Sequence, residues 1–353
     1  MALPFLGSSA KRRDQIVAVD LGARQTKAVH LQRKGEQLSL TSYSMVDAPV
    51  YDKNLTPEAL GDNIKKCLDS LGSHGKQVAI VLGVNDSLVR HAEMPMVPVP
   101  DMRSMLKVGA KNYLQQDLPD HLFDCHMLPI NPDALKAEPG KSPKCRVIVG
   151  GAKREMVENM QKATKHVGLN AVVVTSALVS PVNAFELAMP EIFSKEVVAL
   201  VDFGYKSSTI TILLSGELIL SRVVGFGAAK LTTGIAESMG VTTAEAEGIK
   251  VGMPQEVEST LQPLLTPLGR ELRASIDFFE HQQDKTVSQV FFSGGSARSN
   301  YIVEALQAEL MVPCKSWNPA SGLGLALPPA QTGEIEQVAP QLAVAIGGAV
   351  GSF

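Results

Sequence analysis

The chain has 353 residues, of which 45% are hydrophobic and 20% charged, and its formal net charge at pH 7 is −3. This composition is typical of a globular protein with a large core, and the length predicts about two or three domains. The small net charge gives no electrostatic reason to expect nucleic acid as a partner. No stretch approaches the roughly 20 apolar residues that span a bilayer, so we expect a cytoplasmic protein.

The first half of the chain begins with a short tail and continues as a β-meander. Residues 1–13 are expected to form a flexible tail; the alternative is a weak contact of its apolar start and basic triplet with an anionic membrane. Residues 14–87 are predicted to be a first-half core that also includes 175–196 and 340–353. Its helix is expected to begin after Thr56 as N-cap and to stop at Gly72.

Residues 88–174 are predicted to form an inserted α/β subdomain with the order strand, helix, strand, strand, helix, strand. The first helix is expected from about Pro100 to Tyr113, and the Pro-, Lys- and Gly-containing segment 131–144 is expected to be a mobile loop. Four scattered cysteines without a Cys-x-x-Cys pair indicate buried thiols in a reducing compartment, not disulfides or a zinc site.

One motif occurs twice, at half-chain spacing. The stretch "VDLGARQTKAVHL" (19–31) has a strand that ends on Asp20, a turn at Gly22 and a second strand. The stretch "VVALVDFGYKSSTITILL" (197–214) repeats this arrangement with Asp202 and Gly204. We therefore expect two related halves, with a second-half core at 197–227 and 289–339 and a mostly helical subdomain at 228–288.

Paired Asp-Gly hairpins suit a nucleotide with its metal ion. Backbone N–H groups of a tight turn converge on a phosphate, and aspartates at strand ends hold Mg²⁺ through water. Asp20 and Asp202 are the candidate metal ligands, and they are also the candidates to orient water. The candidate phosphate contacts are Gly22, Ala23, Arg24, Gln25, Lys27, Gly204, Ser207, Ser208 and Thr209. The alternative for each hairpin alone is an ordinary turn capped by its aspartate.

Further candidate nucleotide contacts lie in the second half. A strand, the turn Ser293-Gly294-Gly295-Ser296 and a helix with Ile302, Val303, Leu306 and Leu310 on one face follow one another at 287–310. Glycines at this turn allow close approach of a ligand, and the helix start is positively polarised. Glu247 and Lys250 share a helical face and suit ribose hydroxyls, although a solvated surface pair is the commoner meaning of this spacing. Gly225 and Gly227 lack the context of a dinucleotide fingerprint, and they stay candidate contacts by position alone. No P-loop motif is present.

In these motifs the chain resembles the actin-like ATPase superfamily and, within it, the PilM family of type IV pilus assembly proteins. The likeness to that family rests on 94–128, 165–174, "AEGIK" (246–250), "ELRASIDFFEHQ" (271–282), "FFSGGSA" (291–297) and "LAVAIGGAVG" (342–351). It implies an α/β, duplicated RNase H-like fold of four subdomains, with ATP and Mg²⁺ in a cleft between two halves. It also implies capture of the tail of a PilN-like membrane protein, here near 94–128, contact with the pilus assembly and retraction machinery, and a place at the inner-membrane periphery through partners. A homodimer is a further expectation that the residues leave open.

Two departures from the family pattern affect the expected activity. Ala23, Arg24 and Gln25 stand where the first loop of the family has three serines. Arg24 either binds phosphate or serves as an internal counter-ion for Asp20 or Asp202. No carboxylate occurs from Ala171 to Phe185, where sugar kinases of the superfamily carry their base, so we expect weak or no hydrolysis. The predicted function is an ATP-binding scaffold of a type IV pilus or related type II secretion platform. The alternatives are a kinase or active ATPase of the same fold, or an FtsA-like cell-division scaffold, which the absence of basic residues after Lys315 disfavours.

Overall fold

The structure is a computed structural model that describes residues 13–49, 56–72, 75–129 and 143–353. The predicted tail at 1–13 and the predicted loop at 131–144 fall almost wholly outside these residues. The chain forms two compact units. The first unit comprises Met1–Leu21, Gln25–Asn183 and Val344–Phe353; the second comprises Gly22–Arg24 and Ala184–Ala343.

The first unit is built on a mixed sheet with helices packed against it. Its elements are β1 (Gln15–Leu21), β2 (Gln25–Lys34), β3 (Gln37–Asp47), α1 (Pro57–Leu71), β4 (Gln77–Leu82), β5 (Ser87–Pro95), α2 (Val99–Leu114), β6 (His121–Met127), β7 (Lys144–Lys153), α3 (Arg154–His166) and β8 (Asn170–Ser176). Strands β3, β2, β1, β4 and β8 are neighbours in that order, with β1–β2 and β2–β3 antiparallel and β1–β4 and β4–β8 parallel.

The second unit contains a sheet of the same design and most of the remaining helices. The chain passes into it within α4 (Ser180–Ala188), and its elements are α5 (Pro190–Lys195), β9 (Val197–Phe203), β10 (Ser208–Leu214), β11 (Glu217–Val224), α6 (Ala228–Met239), α7 (Thr243–Gly252), α8 (Glu258–Gln283), β12 (Gln289–Ser293), α9 (Asn300–Leu310), β13 (Cys314–Ser316), β14 (Gly324–Leu325), α10 (Pro329–Thr332) and α11 (Ile335–Val338). Short 3₁₀ helices lie at Pro254–Val257, Gly295–Arg298 and Ala339–Leu342, and α12 (Ala343–Val350) returns the chain to the first unit.

The two sheets repeat one topology. In the second unit the strand order is β11-β10-β9-β12-β13, with an antiparallel meander followed by two parallel strands, as in β3-β2-β1-β4-β8. Asp20 near the end of β1 faces Lys27 across the hairpin, and Asp202 near the end of β9 faces Thr209. The predicted repeat is therefore confirmed at the level of sheet order and register.

A separate three-stranded sheet lies in the segment predicted as an inserted subdomain. Its order is β5-β7-β6, and α2 covers it through a small core that includes Met94, Met102, Leu106 and Val147. The last two elements of the segment belong elsewhere: β8 pairs with β4, and α3 packs on α1 within the core of the main sheet. The proposed domain boundaries stay a prediction.

Local sequence signals set the ends and faces of several helices. The Thr56 side chain accepts a hydrogen bond from the Ala59 amide at 3.3 Å, and Gly72 ends α1 with φ +70°, as predicted. The predicted apolar face of α9 is buried. At the other end of the chain, α12 packs closely against the start of α4, because a Cβ atom on Gly347 would lie 1.6 Å from the Ser180 carbonyl oxygen.

Two properties of the whole chain bear on function. All four cysteines are free thiols; Cys67, Cys125 and Cys145 are buried, and Cys314 is partly buried. Among the residues that the structure describes, no helix has both the length and the apolar character needed to cross a membrane.

Candidate functional site

The first Asp-Gly hairpin carries its own ion pair. Asp20 is 5% exposed, and its Oδ2 accepts a hydrogen bond from Lys27 Nζ at 3.2 Å, because the antiparallel register places the two residues opposite each other. The loop that follows consists of Gly22, Ala23 and Arg24, and Gln25 begins β2. The charge of Asp20 is thus balanced within the hairpin.

The second Asp-Gly hairpin differs in the partner of its acid. Asp202 is half-buried, and its Oδ1 accepts a hydrogen bond from Ser293 Oγ at 2.9 Å. Thr209 occupies the position that Lys27 has in the first hairpin. No group of three or more Asp, Glu, His or Cys side chains capable of holding a metal ion occurs among the described residues. A magnesium ion here fits only as one that keeps several waters, which is the common way in which proteins bind this ion.

The loop after Asp202 is held by the start of α6. The amides of Ala228 and Ala229 donate hydrogen bonds to the carbonyl oxygens of Gly204 and Tyr205 at 3.0 and 2.9 Å. Gly227 allows this contact, because a Cβ atom there would lie 2.3 Å from the Tyr205 oxygen. The first amides of α6 are therefore used within the protein.

The remaining predicted contacts of this loop have distinct surroundings. Ser208 is buried, and its hydroxyl donates to the Phe226 carbonyl at 2.7 Å, so this hydroxyl supports the loop from inside. Ser207 lies in the loop and is partly exposed. Gly225 is exposed and has open space where a side chain would be.

Glu247 and Lys250 form a hydrogen-bonded cluster with Thr232 of α6. Glu247 Oε2 accepts from Lys250 Nζ at 2.7 Å and from the Thr232 hydroxyl at 2.5 Å, and Lys250 donates to that hydroxyl at 2.8 Å. The side chains of Lys250 and Glu247 are 9% and 28% exposed, so the pair is partly buried. Burial alone would raise the pKa of Glu247, but hydrogen bonds from Lys250 and Thr232 and the attraction of Lys250 and Arg24 outweigh it and lower the pKa.

Arg24 belongs to the second unit and lies close to other groups of that unit. Its guanidinium carbon lies 5.6 Å from the centroid of the Tyr205 ring, and its charge acts on Glu247. The Arg24 side chain is nevertheless exposed. A ring face restrains a guanidinium without occupying the hydrogen-bond donors at its edge.

The Ser-Gly-Gly turn lies where the sequence predicted it. Gly294 has φ +92°, and its amide donates to the Pro340 carbonyl at 2.7 Å. Ser296 is buried in the 3₁₀ helix that follows, whereas Gly295 is exposed, with Gln341 Oε1 3.9 Å from the position of a Cβ. The turn leads into this 3₁₀ helix before α9 begins at Asn300, so the polarised helix start expected directly after the glycines lies several residues further on.

A family model decides which family this arrangement belongs to. The model described as type IV pilus assembly protein PilM matches residues 18–353. The chain belongs to the PilM family. The match spans both Asp-Gly hairpins, the three-stranded sheet and the Ser-Gly-Gly turn.

Solved structures show the fold of this PilM-family chain. It is similar to a chain of a PilM-PilN type IV pilus biogenesis complex, with a TM-score of 0.81 at 22% identity over 96% of this chain and 98% of that one. It is also similar to the ethanolamine utilization protein EutJ from Carboxydothermus hydrogenoformans, with a TM-score of 0.56 at 14% identity over 98% and 92%. It is similar to MreB 5 of Spiroplasma citri bound to AMPPNP as well, with a TM-score of 0.50 at 12% identity over 96% of this chain and 95% of that one. The predicted actin-like ATPase fold is confirmed.

The segment 94–128 of this PilM-family chain contains a cavity at the edge of the three-stranded sheet. The cavity has a volume of about 170 Å³ and is lined by Arg103, Ser104, Lys107, His121, Leu122 and Phe123. Arg103 forms an ion pair with Asp124, which is 1% exposed. Burial raises the pKa of Asp124, and the hydrogen bonds and charge of its neighbours oppose that rise only in part. The lining is therefore basic and aromatic, and the buried Asp124 holds its Arg103 in place.

The methionines of this segment divide between two roles. Met94 and Met102 have no exposed surface and belong to the core of the small sheet, whereas Met96 and Met105 are partly buried against it. Trp317 of the second unit is 3% exposed and packs edge-on against Phe185 with ring centroids 5.2 Å apart. It is a core residue.

The contacts of three residues of the site were not identified from the sequence. Thr232 joins the Glu247 cluster from a different helix, and no spacing signal links it to that helix. Tyr205 was part of the quoted loop, but its contact with Arg24 depends on the folded chain. Ser293 could have been found, because a strand that ends beside β9 must place its last residue next to Asp202.

Proposed function

We propose that this protein is an ATP-binding scaffold of a type IV pilus inner-membrane assembly platform. The observation that carries the proposal is the family match over residues 18–353, together with two Asp-Gly hairpins in equivalent places of two sheets of equal topology. The protein acts in the cytoplasm, at the membrane periphery through its partners. The same role in the related type II secretion platform is part of this proposal.

Second-unit groups support the nucleotide part of the proposal. The exposed loop residues, Arg24 and the neighbouring Glu247 cluster offer cationic and hydroxyl donors for phosphates and ribose. Gly225 has open space where a side chain would be, and Gly295 is exposed. Asp202 and Asp20 are the candidates to hold the waters of Mg²⁺. When bound, the ion neutralises phosphate charge. The contribution of the first-unit residues stays a prediction.

The proposed nucleotide acts as a conformational ligand with weak or no turnover. The stretch from Ala171 to Phe185 has no carboxylate that could serve as a general base, which removes a contribution of about 10²–10⁴ to phosphoryl transfer. Binding is proposed to change the interdomain closure of the protein and through it the affinity for the partner tail.

The partner part of the proposal is that the cytoplasmic tail of a PilN-like membrane protein binds near 94–128. A PilM-PilN complex is known for a similar structure, and the basic, aromatic cavity beside Lys107 lies in this segment. The small sheet also has β5 and β6 at its edges, which suits capture of an extended tail.

The nucleotide proposal is tested by calorimetry with Mg-ATP on the wild type, Asp202→Ala and Asp20→Ala, beside a phosphate-release assay. We expect binding by the wild type, weakening by Asp202→Ala of roughly tenfold or more, and little release. A wild-type chain that binds no nucleotide refutes this part, and release at many turnovers per second favours the enzymatic alternatives.

The partner proposal is tested with a fluorescent peptide of a PilN-like tail and anisotropy. Lys107→Glu should weaken binding at least several-fold by reversing a charge at the cavity. Lys66→Glu is the matched control, because Lys66 is an exposed lysine on another helix of the same unit. Equal affinity of both variants and the wild type contradicts the placement of the tail at this cavity.

A further inference from the structure

Arg24 is a charged group whose contacts leave its donors accessible. Its side chain is exposed, and the structure holds its guanidinium 5.6 Å from the Tyr205 ring centroid. A guanidinium presents five N–H donors in a planar fork that matches two oxygens of a phosphate. The ring contact fixes the direction of this fork at little cost to its hydrogen-bonding capacity.

The carboxylate that attracts Arg24 is already engaged. Glu247 receives hydrogen bonds from Lys250 and Thr232, and Arg24 acts on it through space. Lys250 is bound to Glu247, and Lys27 is bound to Asp20. Of these three cations, Arg24 is therefore the one whose charge is least committed to an internal partner.

From this arrangement we infer that Arg24 is a resident phosphate ligand that partly replaces magnesium in nucleotide binding. The inference rests on the proposed nucleotide function and names the residue that sets its dependence on the metal. A nucleotide brings several negative charges, and in most sites a divalent cation neutralises part of them. A bidentate arginine supplies one positive charge and two donors at the same phosphates.

The consequence is a measurable coupling between Arg24 and the metal. With Mg²⁺ present, the metal and Arg24 share the neutralisation, and loss of Arg24 weakens binding only a few-fold. With EDTA, Arg24 neutralises a larger part of the phosphate charge. The loss of Arg24 then weakens binding roughly tenfold or more, the size expected for a charged bidentate contact. Wild-type affinity therefore depends less on magnesium than the affinity of Arg24→Ala.

The test uses the full chain and ATP, titrated by calorimetry in Mg²⁺ and in EDTA. The variants are Arg24→Ala, Arg24→Lys, which keeps the charge and loses the fork, and Arg270→Ala as the matched control. Arg270 is an exposed arginine on α8. Thermal unfolding of each variant without nucleotide checks that the fold is retained.

The expected result is a ratio of dissociation constants, EDTA over Mg²⁺, that is at least about threefold larger for Arg24→Ala than for the wild type and Arg270→Ala, since a tenfold loss in EDTA is divided by a loss of a few-fold in Mg²⁺. Arg24→Lys should lie between them. Tyr205→Leu should raise the ratio in the wild-type background but leave it unchanged in the Arg24→Ala background, because the ring acts through Arg24.

Equal ratios in the wild type and Arg24→Ala overturn this inference and leave the proposed nucleotide function intact. Tighter binding by Arg24→Ala in both buffers also overturns it, because Arg24 would then obstruct the nucleotide. A wild-type chain that binds ATP in neither buffer refutes the inference and the proposed nucleotide function together.

Discussion

Gly294 offers the sharpest test of how the second unit is built. Its φ of +92° and ψ of 177° lie in a region that other residues reach at a cost of about 1–3 kcal/mol. A Cβ atom would also lie 2.4 Å from the Phe203 carbonyl oxygen, and overpacking of this kind costs about 1–3 kcal/mol more. Gly294→Ala should therefore destabilise the unit by about 2–6 kcal/mol, the sum of these two contributions.

The assay is thermal unfolding followed by circular dichroism, with Gly295→Ala as the matched control. At roughly 2 °C per kcal/mol for a unit of this size, Gly294→Ala should lower Tm by at least about 4 °C. Gly295 is exposed, lies outside the positive-φ region and has its nearest neighbour 3.9 Å from a Cβ, so its alanine variant should be neutral or slightly stabilising. Equal Tm changes for the two variants would refute the reasoning.

The other predictions concern the first hairpin and the thiols. Lys27→Met should destabilise the protein by about 2–4 kcal/mol, because it leaves the Asp20 carboxylate buried without its cation. Adding Asp20→Asn to the same chain should recover part of this loss, as measured by urea unfolding. Free-energy changes of the two substitutions that simply add would contradict the pairing. Burial raises the pKa of Cys67 to about 11 and that of Cys314 to about 12. Both thiols should therefore resist iodoacetamide at pH 8 in the folded protein and react after denaturation, as mass spectrometry will show; rapid labelling of the native chain contradicts this.

The repeated fold could be predicted because its signals are local and occur twice. The strand that ends on an aspartate, the Asp-x-Gly at each turn and the cap at Thr56 each specify a short piece of backbone, and the structure reproduces those pieces. Likewise, the four apolar residues of α9 follow one helical face. Such patterns depend on neighbours in sequence, so a single chain is enough to recognise them.

The rest of the site depends on contacts between distant parts of the chain. The Glu247–Lys250 pair carried no sign of its third member, Thr232, which lies on another helix. The placement of α3 and β8 with the main sheet was also missed, because periodicity shows what an element is but not which sheet it joins. Tyr205 beside Arg24 belongs to the same class of long-range contact.

The close packing of α12 on α4 has a consequence for the order in which the protein is made. Residues 344–353 complete the first unit, although the whole of 184–343 is translated before them. Val344 covers Val81 and Ala177, so a nascent chain that stops short of α12 exposes these apolar side chains and lacks the backbone contact at Gly347. The first unit, although its synthesis starts earlier, therefore reaches its final packing only after the whole of 184–343 has been made.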